Sequence, residues 1–200
     1  MANDDPYLYP GTNGLINHEG IQDPEALQAR ERQLSAIRHL ELSAAPPTPT
    51  FDPDHLRTIH YRLFQDIYPW AGSFRTVPIS KDQSLFALPA YIEPQLERVS
   101  KELKSEGYLH QARRSDFVVH LAYYLGEVNA VHPFREGNGR TQRFFFQQLA
   151  HQAGWHLDWT QIEAAEMVEA SQASLFGDNH HLTKLLDRAA TSAPYGSEIL

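Results

Sequence analysis

The chain has 200 residues, of which 42% are hydrophobic and 21% charged, and its formal net charge is −8. This length and balance predict one globular domain with its own core, and no apolar run is long enough to predict a transmembrane helix. The negative charge argues against a nucleic-acid scaffold, and the absence of cysteine excludes disulfides and thiolate chemistry. Because no signal-peptide pattern follows Met1 either, we expect a cytoplasmic protein.

The first 22 residues are rich in proline and glycine and predict an irregular arm, which Tyr7 to Tyr9 should pack against the domain. Asp23-Pro24 is typical of a helix start, with an aspartate cap and a proline in the first turn. The predicted helix runs to about Ser43 and turns apolar positions inward, namely Leu27, Leu34, Ile37 and Leu40.

A second helix begins with the same signal at Asp52-Pro53 and ends before Pro69 and Gly72. Its predicted buried face consists of Leu56, Ile59, Leu63, Phe64 and Ile67. The following segment, residues 73–88, has β-branched and aromatic residues on either side of a polar turn from Ser80 to Ser84. This pattern predicts a β-hairpin, the only one that the sequence indicates.

Helical spacing returns over about residues 91–106 and again after Ser115. Beyond Gly154, two more helices are predicted, at about 160–176 and 179–190, and residues 191–200 should be frayed. No linker is long enough to split the chain, so residues 23–190 are predicted to form one mainly helical domain.

A polar stretch, residues 132–143, joins two of the predicted helices, because Pro133 should end the first and a new apolar pattern begins at Phe144. We call this stretch the active-site loop. Gly137 and Gly139, which flank Asn138, can adopt positive φ values and turn their backbone amides toward one point at a helix N-terminus. This arrangement predicts a nest for phosphate.

Charged residues around the nest suit a nucleoside triphosphate. Arg140 and Arg143 lie three residues apart on one helix face and could hold the outer phosphates. Glu136 offers a carboxylate for Mg²⁺ shared with phosphate oxygens. His132 offers a base, since histidine ordinarily titrates near pH 6.5. Singly, these residues would indicate only a turn, a solvated helix face and a packed histidine.

The stretch from His132 to Arg143 reads HPFREGNGRTQR and resembles the signature of the Fic family, H-x-F-x-[DE]-G-N-G-R-x-x-R, with every specified position filled. The resemblance implies the Fic fold, in which a helical bundle surrounds a helix-loop-helix motif beside one β-hairpin flap. It implies His132 as general base, Phe134 as core anchor and Glu136 as Mg²⁺ ligand. It also implies a nest for ATP phosphates, formed by Gly137, Asn138 and Gly139, with Arg140 and Arg143 on the β and γ phosphates.

The segment from Arg75 to Lys81 is similar to the Fic flap, which holds the target's modifiable segment by backbone pairing. This weaker similarity places Ser80 and Lys81 near the nucleotide. Members of the family transfer AMP from ATP to a hydroxyl side chain of a target protein. We therefore expect a protein adenylyltransferase that uses ATP and Mg²⁺.

Some Fic proteins carry an inhibitory glutamate in the pattern [ST]-x-x-x-E-[GN], and no glutamate of this chain fits it. The resemblance then points to the bacterial toxin branch, in which a small separate antitoxin supplies the glutamate. The stretch Asp5 to Pro10 also looks like that branch, whose members modify the ATPase subunits of DNA gyrase and topoisomerase IV. These partners follow from the resemblance alone.

Three alternatives stay open. The chain could transfer another phosphate-containing group, as the kinase branch does with Ala-Asn-Lys in place of Gly-Asn-Gly. It could be a non-catalytic nucleotide-binding module, although no catalytic position is missing. It could remove AMP, a reaction that in the family depends on the inhibitory glutamate.

Overall fold

Helices dominate the structure, a computed structural model that describes residues 5–81 and 84–192. Seven α-helices are present in these ranges: α1 (Pro24–Ala44), α2 (Pro53–Phe64), α3 (Pro89–Ser105), α4 (Arg114–Val131), α5 (Asn138–Gln152), α6 (Ala164–Leu175) and α7 (His180–Ala189). Two antiparallel pairs of short strands join them: β1 (Ser80–Lys81) with β2 (Ser84–Leu85), and β3 (Trp155–Leu157) with β4 (Ala190–Ser192). The predicted mainly helical fold is confirmed. Within the described ranges, no helix has the length and apolar content that crossing a membrane requires.

Helix α4 lies at the centre of the bundle and contacts α3, α5, α6 and α7. Its side chains are buried on several faces, and Phe117, Leu121 and Tyr124 have no measurable exposure. A helix that is apolar around most of its circumference is stable only when neighbours cover it on all sides. The active-site loop leaves the C-terminal end of α4, so it begins at the end of this central, buried helix.

Side-chain caps fix the starts of α1 and α2, as the sequence predicted. The Asp23 carboxylate accepts from the backbone N–H of Ala26 at 2.8 Å, and the Asp52 carboxylate accepts from that of His55 at 2.8 Å. Helix α2 ends at Phe64, earlier than predicted, and the chain continues through a turn in which Ile67 and Tyr68 are buried.

The inward face predicted for α1 is wrong in part. Leu27 is buried, but Ile37 and Leu40 are 56% and 71% exposed. The helix instead buries Glu31, Ser35 and Leu42. The physical reason is an ion pair: Glu31 bonds Arg140 of α5, which turns a polar stripe of α1 toward the bundle. Apolar spacing alone could not reveal this partner.

The flap, defined as residues 73–88, contains the predicted hairpin, but its strands are shorter than expected. Ser80 pairs with Leu85 and Lys81 with Ser84, whereas residues 74–79 are not part of a strand. The residues of the turn, 82 and 83, and the side chains of Lys81 and Ser84 lie outside the described part. The sequence also missed the pair β3–β4, in which Thr191 pairs with His156. The tail predicted to fray from residue 191 therefore begins within a strand, and residues 193–200 lie outside the described part.

Hydrogen bonds tie the N-terminal arm to several parts of the domain. The Asp5 carboxylate accepts from the Arg135 guanidinium in the active-site loop at 2.9 Å. The backbone N–H of Thr76, in the flap, donates to the Tyr7 hydroxyl at 3.1 Å. The backbone N–H of His18 donates to the carbonyl of Ile67 at 2.9 Å. The arm thus touches both segments that bear on the predicted site.

Candidate active site

The active-site loop starts with a left-handed residue. His132 caps α4 with φ 47° and ψ 64°, and its backbone N–H donates to the carbonyl of Val128 at 3.1 Å. This conformation ends the helix as Pro133 predicted, although it is one that residues other than glycine rarely adopt. The bend directs the His132 side chain into a cavity instead of along the helix.

Asn138 closes the loop with its side chain. Its amide oxygen accepts from the backbone N–H of Phe134 at 2.9 Å, and its amide nitrogen donates to the Phe134 carbonyl at 2.8 Å. Phe134 is 1% exposed and stacks on His60 with ring centroids 3.9 Å apart. Phe134 therefore anchors the loop in the core, and the Asn138 side chain holds the loop's shape.

Gly137 and Gly139 differ in backbone conformation and in the space around them. Gly137 has φ +81°, and a Cβ atom there would lie 2.4 Å from the Phe64 ring, so only glycine fits. Gly139 lies in the first turn of α5 without a positive φ, which corrects the expectation that both glycines adopt one. A Cβ at Gly139 would meet Arg143 at an ordinary 3.5 Å, so the missing side chain matters there mainly for access to the amides.

The amide nest consists of the first turn of α5. The first N–H groups of a helix have no intrahelical acceptor. For Asn138, Gly139 and Arg140, no other acceptor of these groups occurs among the hydrogen bonds of the described residues. The N–H of Gly137 is bound to the Glu136 carboxylate at 2.9 Å. The three remaining amides and the positive end of the helix dipole suit an anion.

His60 supports the loop from α2, a role that sequence reasoning missed. The N–H of Gly72 donates to its Nδ1 at 2.9 Å, so the proton is on Nε2, which donates to the Glu136 carbonyl at 3.0 Å. The side chain has no measurable exposure, and burial lowers the pKa of His60 to about 3. A neutral imidazole therefore fixes the backbone at Glu136.

Arg140 is held by other protein groups. Its guanidinium donates to the Glu31 carboxylate and to the Ser35 hydroxyl at 3.0 Å, and it lies over the Phe64 ring at 4.7 Å. Glu31 is 5% exposed and also accepts from the Tyr68 hydroxyl. Arg140 is thus fixed in place, and Glu31 neutralises much of its charge.

Arg143 is in a different environment, although it is only one turn away. It is exposed, and none of the ion pairs between described residues includes it. It lines both the cavity that contains His132 and a neighbouring groove between α1 and α5. Its charge is available to a ligand in either place.

Glu136 was predicted to bind Mg²⁺. Its carboxylate accepts from Gly137 N–H and lies 3.9 Å from the Arg140 guanidinium, with its side chain about half exposed. The described residues contain no cluster of three metal-binding side chains. A single carboxylate fits Mg²⁺ that is bound mainly by phosphates and water, and not a metal site built by the protein alone.

Two flap residues hold His132 and the loop. The Phe86 ring stacks on the His132 imidazole with centroids 4.0 Å apart. Arg75 is 2% exposed and donates to the carbonyls of Val131 and His132 at the end of α4, at 3.0 and 2.8 Å. It also donates to the flap carbonyls of Val77, at 2.8 Å, and Ala87.

Arg75 is therefore a link between the flap and the loop. Burial among carbonyl groups lowers the pKa of its guanidinium, and the negative end of the α4 dipole favours the cation there. Sequence reasoning used Arg75 only as part of a flap pattern. Nothing in the spacing could indicate that its partners would be carbonyl groups of two distant segments.

A cavity of about 320 Å³ extends from His132 and the amide nest to α6. Its far end is largely apolar, with Leu125, Met167 and Leu175, while Ser171 adds a hydroxyl. The two residues before Ser171 do not line the cavity, because Glu169 is exposed to solvent and Ala170 is buried in the core. Ser80 is not among the described lining residues.

The arrangement places an imidazole, three backbone amides and an unpaired guanidinium around one cavity. The amides and Arg143 suit a chain of phosphates, and the apolar end has the size and character that a planar base requires. The imidazole can accept a proton from a group that approaches beside the flap.

Known proteins are similar to this chain in sequence and in fold. A model of the Fic/DOC family matches residues 50–150. Protein adenylyltransferase VbhT of Bartonella schoenbuchensis is 41% identical over 190 residues, which cover 95% of this chain and 40% of VbhT. Probable protein adenylyltransferase Fic of Escherichia coli is 38% identical over 189 residues, 94% of each protein. The crystal structure of the VirB-translocated effector BepC of Bartonella tribocorum, with bound AMPPNP, is 27% identical with a TM-score of 0.86, covering 93% of this chain and 96% of that one.

Proposed function

Because the chain belongs to the Fic/DOC family, we propose that it is a protein adenylyltransferase, which transfers AMP from ATP to a hydroxyl side chain of another protein. The observation that carries the proposal is the single cavity shared by His132, the open amides of α5 and Arg143. Relatives named protein adenylyltransferase support the activity, and the AMPPNP bound to BepC supports ATP as the donor. The chain spans less than half of VbhT but nearly all of the Escherichia coli protein.

In the proposed reaction, the triphosphate lies over the N–H groups of Asn138, Gly139 and Arg140, with the α-phosphorus facing His132. His132 takes the proton of the incoming hydroxyl group, whose oxygen forms a bond to the α-phosphorus. The bond from that phosphorus to the bridging oxygen breaks, and pyrophosphate leaves with its charge held by the amides and Arg143. In-line displacement of this kind depends mainly on positioning and charge stabilisation.

Arg140 and Glu136 complete the phosphate site in this proposal. Arg140 presents its remaining N–H groups from a fixed position, because Glu31 and Ser35 hold it. Glu136 would hold Mg²⁺ together with phosphate oxygens, and the ion would offset their negative charge. Ser80 and Lys81 would approach the nucleotide or the target from the flap, whose strands offer a short edge for a target segment.

The same proposal gives the domains their roles. Residues 23–190 form the catalytic domain, and the arm, residues 1–22, braces the loop and the flap through Asp5 and Tyr7. Strand β4 continues the described part of the chain beyond this domain boundary to Ser192.

Labelling of a bacterial lysate tests the reaction class. ATP labelled with ³²P at the α-phosphate should label a protein in the presence of the wild type, and ATP labelled at the γ-phosphate should not. Transfer of the γ label would indicate a kinase. Absence of any label, with nucleotide binding intact, would indicate a binding module and overturn the proposal.

We propose further that the protein is a bacterial toxin and that its targets are the ATPase subunits of DNA gyrase and topoisomerase IV, which would place it in the bacterial cytoplasm. Support comes from the family resemblance and from the lack of a glutamate that fits the inhibitory pattern. Purified gyrase and topoisomerase IV incubated with the enzyme and ATP should gain the mass of one AMP group on the ATPase subunit. If both keep their intact mass while another lysate protein is labelled, this target assignment is wrong.

A separate antitoxin would dock in the groove between α1 and α5. The groove holds about 740 Å³ and contains the apolar side chains of Leu40, Leu63 and Phe144. Arg143 lies at its junction with the nucleotide cavity. A helix with an apolar face in this groove could present a glutamate to Arg143 and displace the outer phosphate.

Substitution of the exposed Leu40 tests this docking site. Leu40→Asp should leave AMP transfer unchanged, because Leu40 does not line the nucleotide cavity, but it should weaken inhibition by a small helical antitoxin at least tenfold. The matched control is Val119→Asp, an exposed position on α4 that lies away from the groove. Equal inhibition of all three proteins would show that the antitoxin binds elsewhere.

A further inference from the structure

Helix α1 buries a carboxylate beside the phosphate site. Glu31 is 5% exposed, and one of its oxygens forms an ion pair with the Arg140 guanidinium. Its other oxygen accepts from the hydroxyl of Tyr68, which is also buried. A carboxylate removed from water is stable only with a cation and further donors around it. Glu31 therefore stays charged through Arg140, and it places a permanent negative charge against that residue.

Glu31 lies outside the nucleotide cavity. It lines a separate pocket of about 350 Å³ between α1 and the N-terminal arm, together with Arg140 and Glu136. Glu136 borders both this pocket and the nucleotide cavity, and its carboxylate lies 3.9 Å from the Arg140 guanidinium. Two carboxylates thus share one guanidinium, and only one of them, Glu136, reaches the cavity.

This sharing of charge affects any anion at the amide nest. The backbone N–H of Arg140 belongs to the nest, so Glu31 is bonded to the far end of a side chain that starts there. A guanidinium with no carboxylate attached would attract phosphates more strongly. Pyrophosphate gains a negative charge when its bond to the α-phosphorus breaks, so a phosphate site with more positive charge would retain this product.

We propose that Glu31 sets the affinity of the phosphate site: its buried carboxylate offsets the charge of Arg140 and thereby allows pyrophosphate to leave. The proposal rests on the proposed function and adds a residue from outside the family signature. Glu31 acts through Arg140 and does not contact the nucleotide. The glutamate that an antitoxin would supply faces Arg143 instead, so the two carboxylates have separate partners.

Calorimetric titration of the whole chain with inorganic pyrophosphate and Mg²⁺ tests this role. Glu31→Gln keeps the shape of the side chain and an oxygen that accepts from Arg140, but it removes the charge. The variant should bind pyrophosphate at least about fivefold more tightly than the wild type, and AMP within about twofold, because AMP lacks the outer phosphates. The difference in pyrophosphate affinity should shrink as the KCl concentration rises, since salt screens charge.

Two further variants separate the charge of Glu31 from its shape and from the net charge of the protein. Glu31→Asp keeps the charge in a shorter side chain and should bind pyrophosphate within about twofold of the wild type. Glu41→Gln is the matched control on the same helix. It removes a carboxylate from a more exposed ion pair with Arg38 and should leave pyrophosphate affinity unchanged.

The transfer reaction provides a second readout. Added pyrophosphate should inhibit Glu31→Gln at a lower concentration than the wild type, by the same factor that calorimetry gives. The KM for ATP should fall as well, because the same outer phosphates are bound. A variant that had merely lost stability would show neither change.

Unchanged, weaker or undetectable pyrophosphate binding by Glu31→Gln would overturn the proposal, and weaker binding would show that Glu31 only holds Arg140 in place. An effect of Glu31→Asp as large as that of Glu31→Gln would assign the change to packing. If the wild type binds pyrophosphate but transfers no AMP to any protein, the proposed function fails, whereas the calorimetric comparison still decides the role of Glu31.

Discussion

Arg140 and Arg143 occupy adjacent turns of α5, but their guanidinium groups differ in how available they are to a ligand. Glu31 and Ser35 hold Arg140, whereas Arg143 faces the cavity and the groove. Removing Arg140 would leave Glu31 buried with only the Tyr68 hydroxyl, and a buried carboxylate without its cation is unstable. The structure therefore separates a fixed, largely neutralised arginine from one that is free to bind phosphate.

Arg143→Ala should weaken ATP binding tenfold or more and AMP binding less than twofold, because the lost cation would contact only the outer phosphates. Arg140→Ala should instead destabilise the fold by about 3 kcal/mol, since it leaves the Glu31 charge unpaired. Calorimetry with ATP and AMP, together with urea unfolding of both variants, checks the two outcomes. Equal loss of ATP and AMP affinity in Arg143→Ala would refute the assignment.

The buried His60 should make stability fall in acid. Its pKa is about 3 in the folded protein and about 6.5 when unfolded, so below pH 6.5 the unfolded chain binds a proton that the native protein excludes. Above pH 6.5 the protonation of His60 does not lower the free energy of unfolding. Between pH 6.5 and 3 it lowers that free energy by about 1.4 kcal/mol per pH unit. Urea unfolding from pH 7 to 4 should show a shallower decline for His60→Gln than for the wild type. The exposed His181→Gln should retain the wild-type slope, and an unchanged slope in His60→Gln would count against this explanation.

At the scale of elements, Arg75 couples the flap to the end of α4. Its guanidinium bonds carbonyl groups of Val77 and Ala87 on the flap side and of Val131 and His132 on the loop side. A target segment paired with the flap would thereby have a fixed position relative to the His132 imidazole. A displacement of about 1 Å at a reacting group can cost about 100-fold in rate.

Arg75→Lys should reduce AMP transfer at least tenfold while AMPPNP affinity stays within about twofold, because lysine keeps the charge but cannot bond both sides at once. Arg57→Lys is the matched control. Arg57 also lies against the flap, over the Phe74 ring at 4.1 Å, but it is partly exposed and bonds only side chains in this structure. If Arg75→Lys transfers AMP at the wild-type rate, the flap is not positioned through this residue.

An element could be predicted from the sequence only where residues close together in the chain determine it. Asp23 and Asp52 were correct helix starts because capping involves residues three apart. The inward face of α1 was wrong because Glu31 is buried by a partner 109 residues away. Strand β4 was missed because its partner, β3, lies more than 30 residues earlier and both strands have only three residues.

The candidate active site could likewise be predicted only where neighbouring residues of the chain form it. The order of residues in the active-site loop was enough to predict the bend, the helix N-terminus and the charged groups around it. The supporting residues His60, Arg75 and Glu31 come from other elements, and they act through backbone carbonyls or single ion pairs that leave no pattern in the sequence.

At the scale of the whole molecule, the nucleotide cavity, the groove and the flap converge on the first turn of α5. Arg143 borders the cavity and the groove, and Phe86 of the flap stacks on His132 inside the cavity. Donor, target and inhibitor would thus meet around one helix terminus. If the proposed reaction takes place in the cavity, this convergence would explain how an inhibitor bound in the groove stops it.

The central claim is that His132 removes a proton from a target hydroxyl while the amides of α5 hold the triphosphate. The most direct test compares the wild type with His132→Ala at saturating α-³²P-ATP and measures AMPPNP affinity of both by calorimetry. We predict that protein labelling by His132→Ala falls at least 100-fold, the lower range expected for loss of a general base, while AMPPNP affinity stays within about threefold. Labelling by His132→Ala at a rate close to that of the wild type would contradict the account.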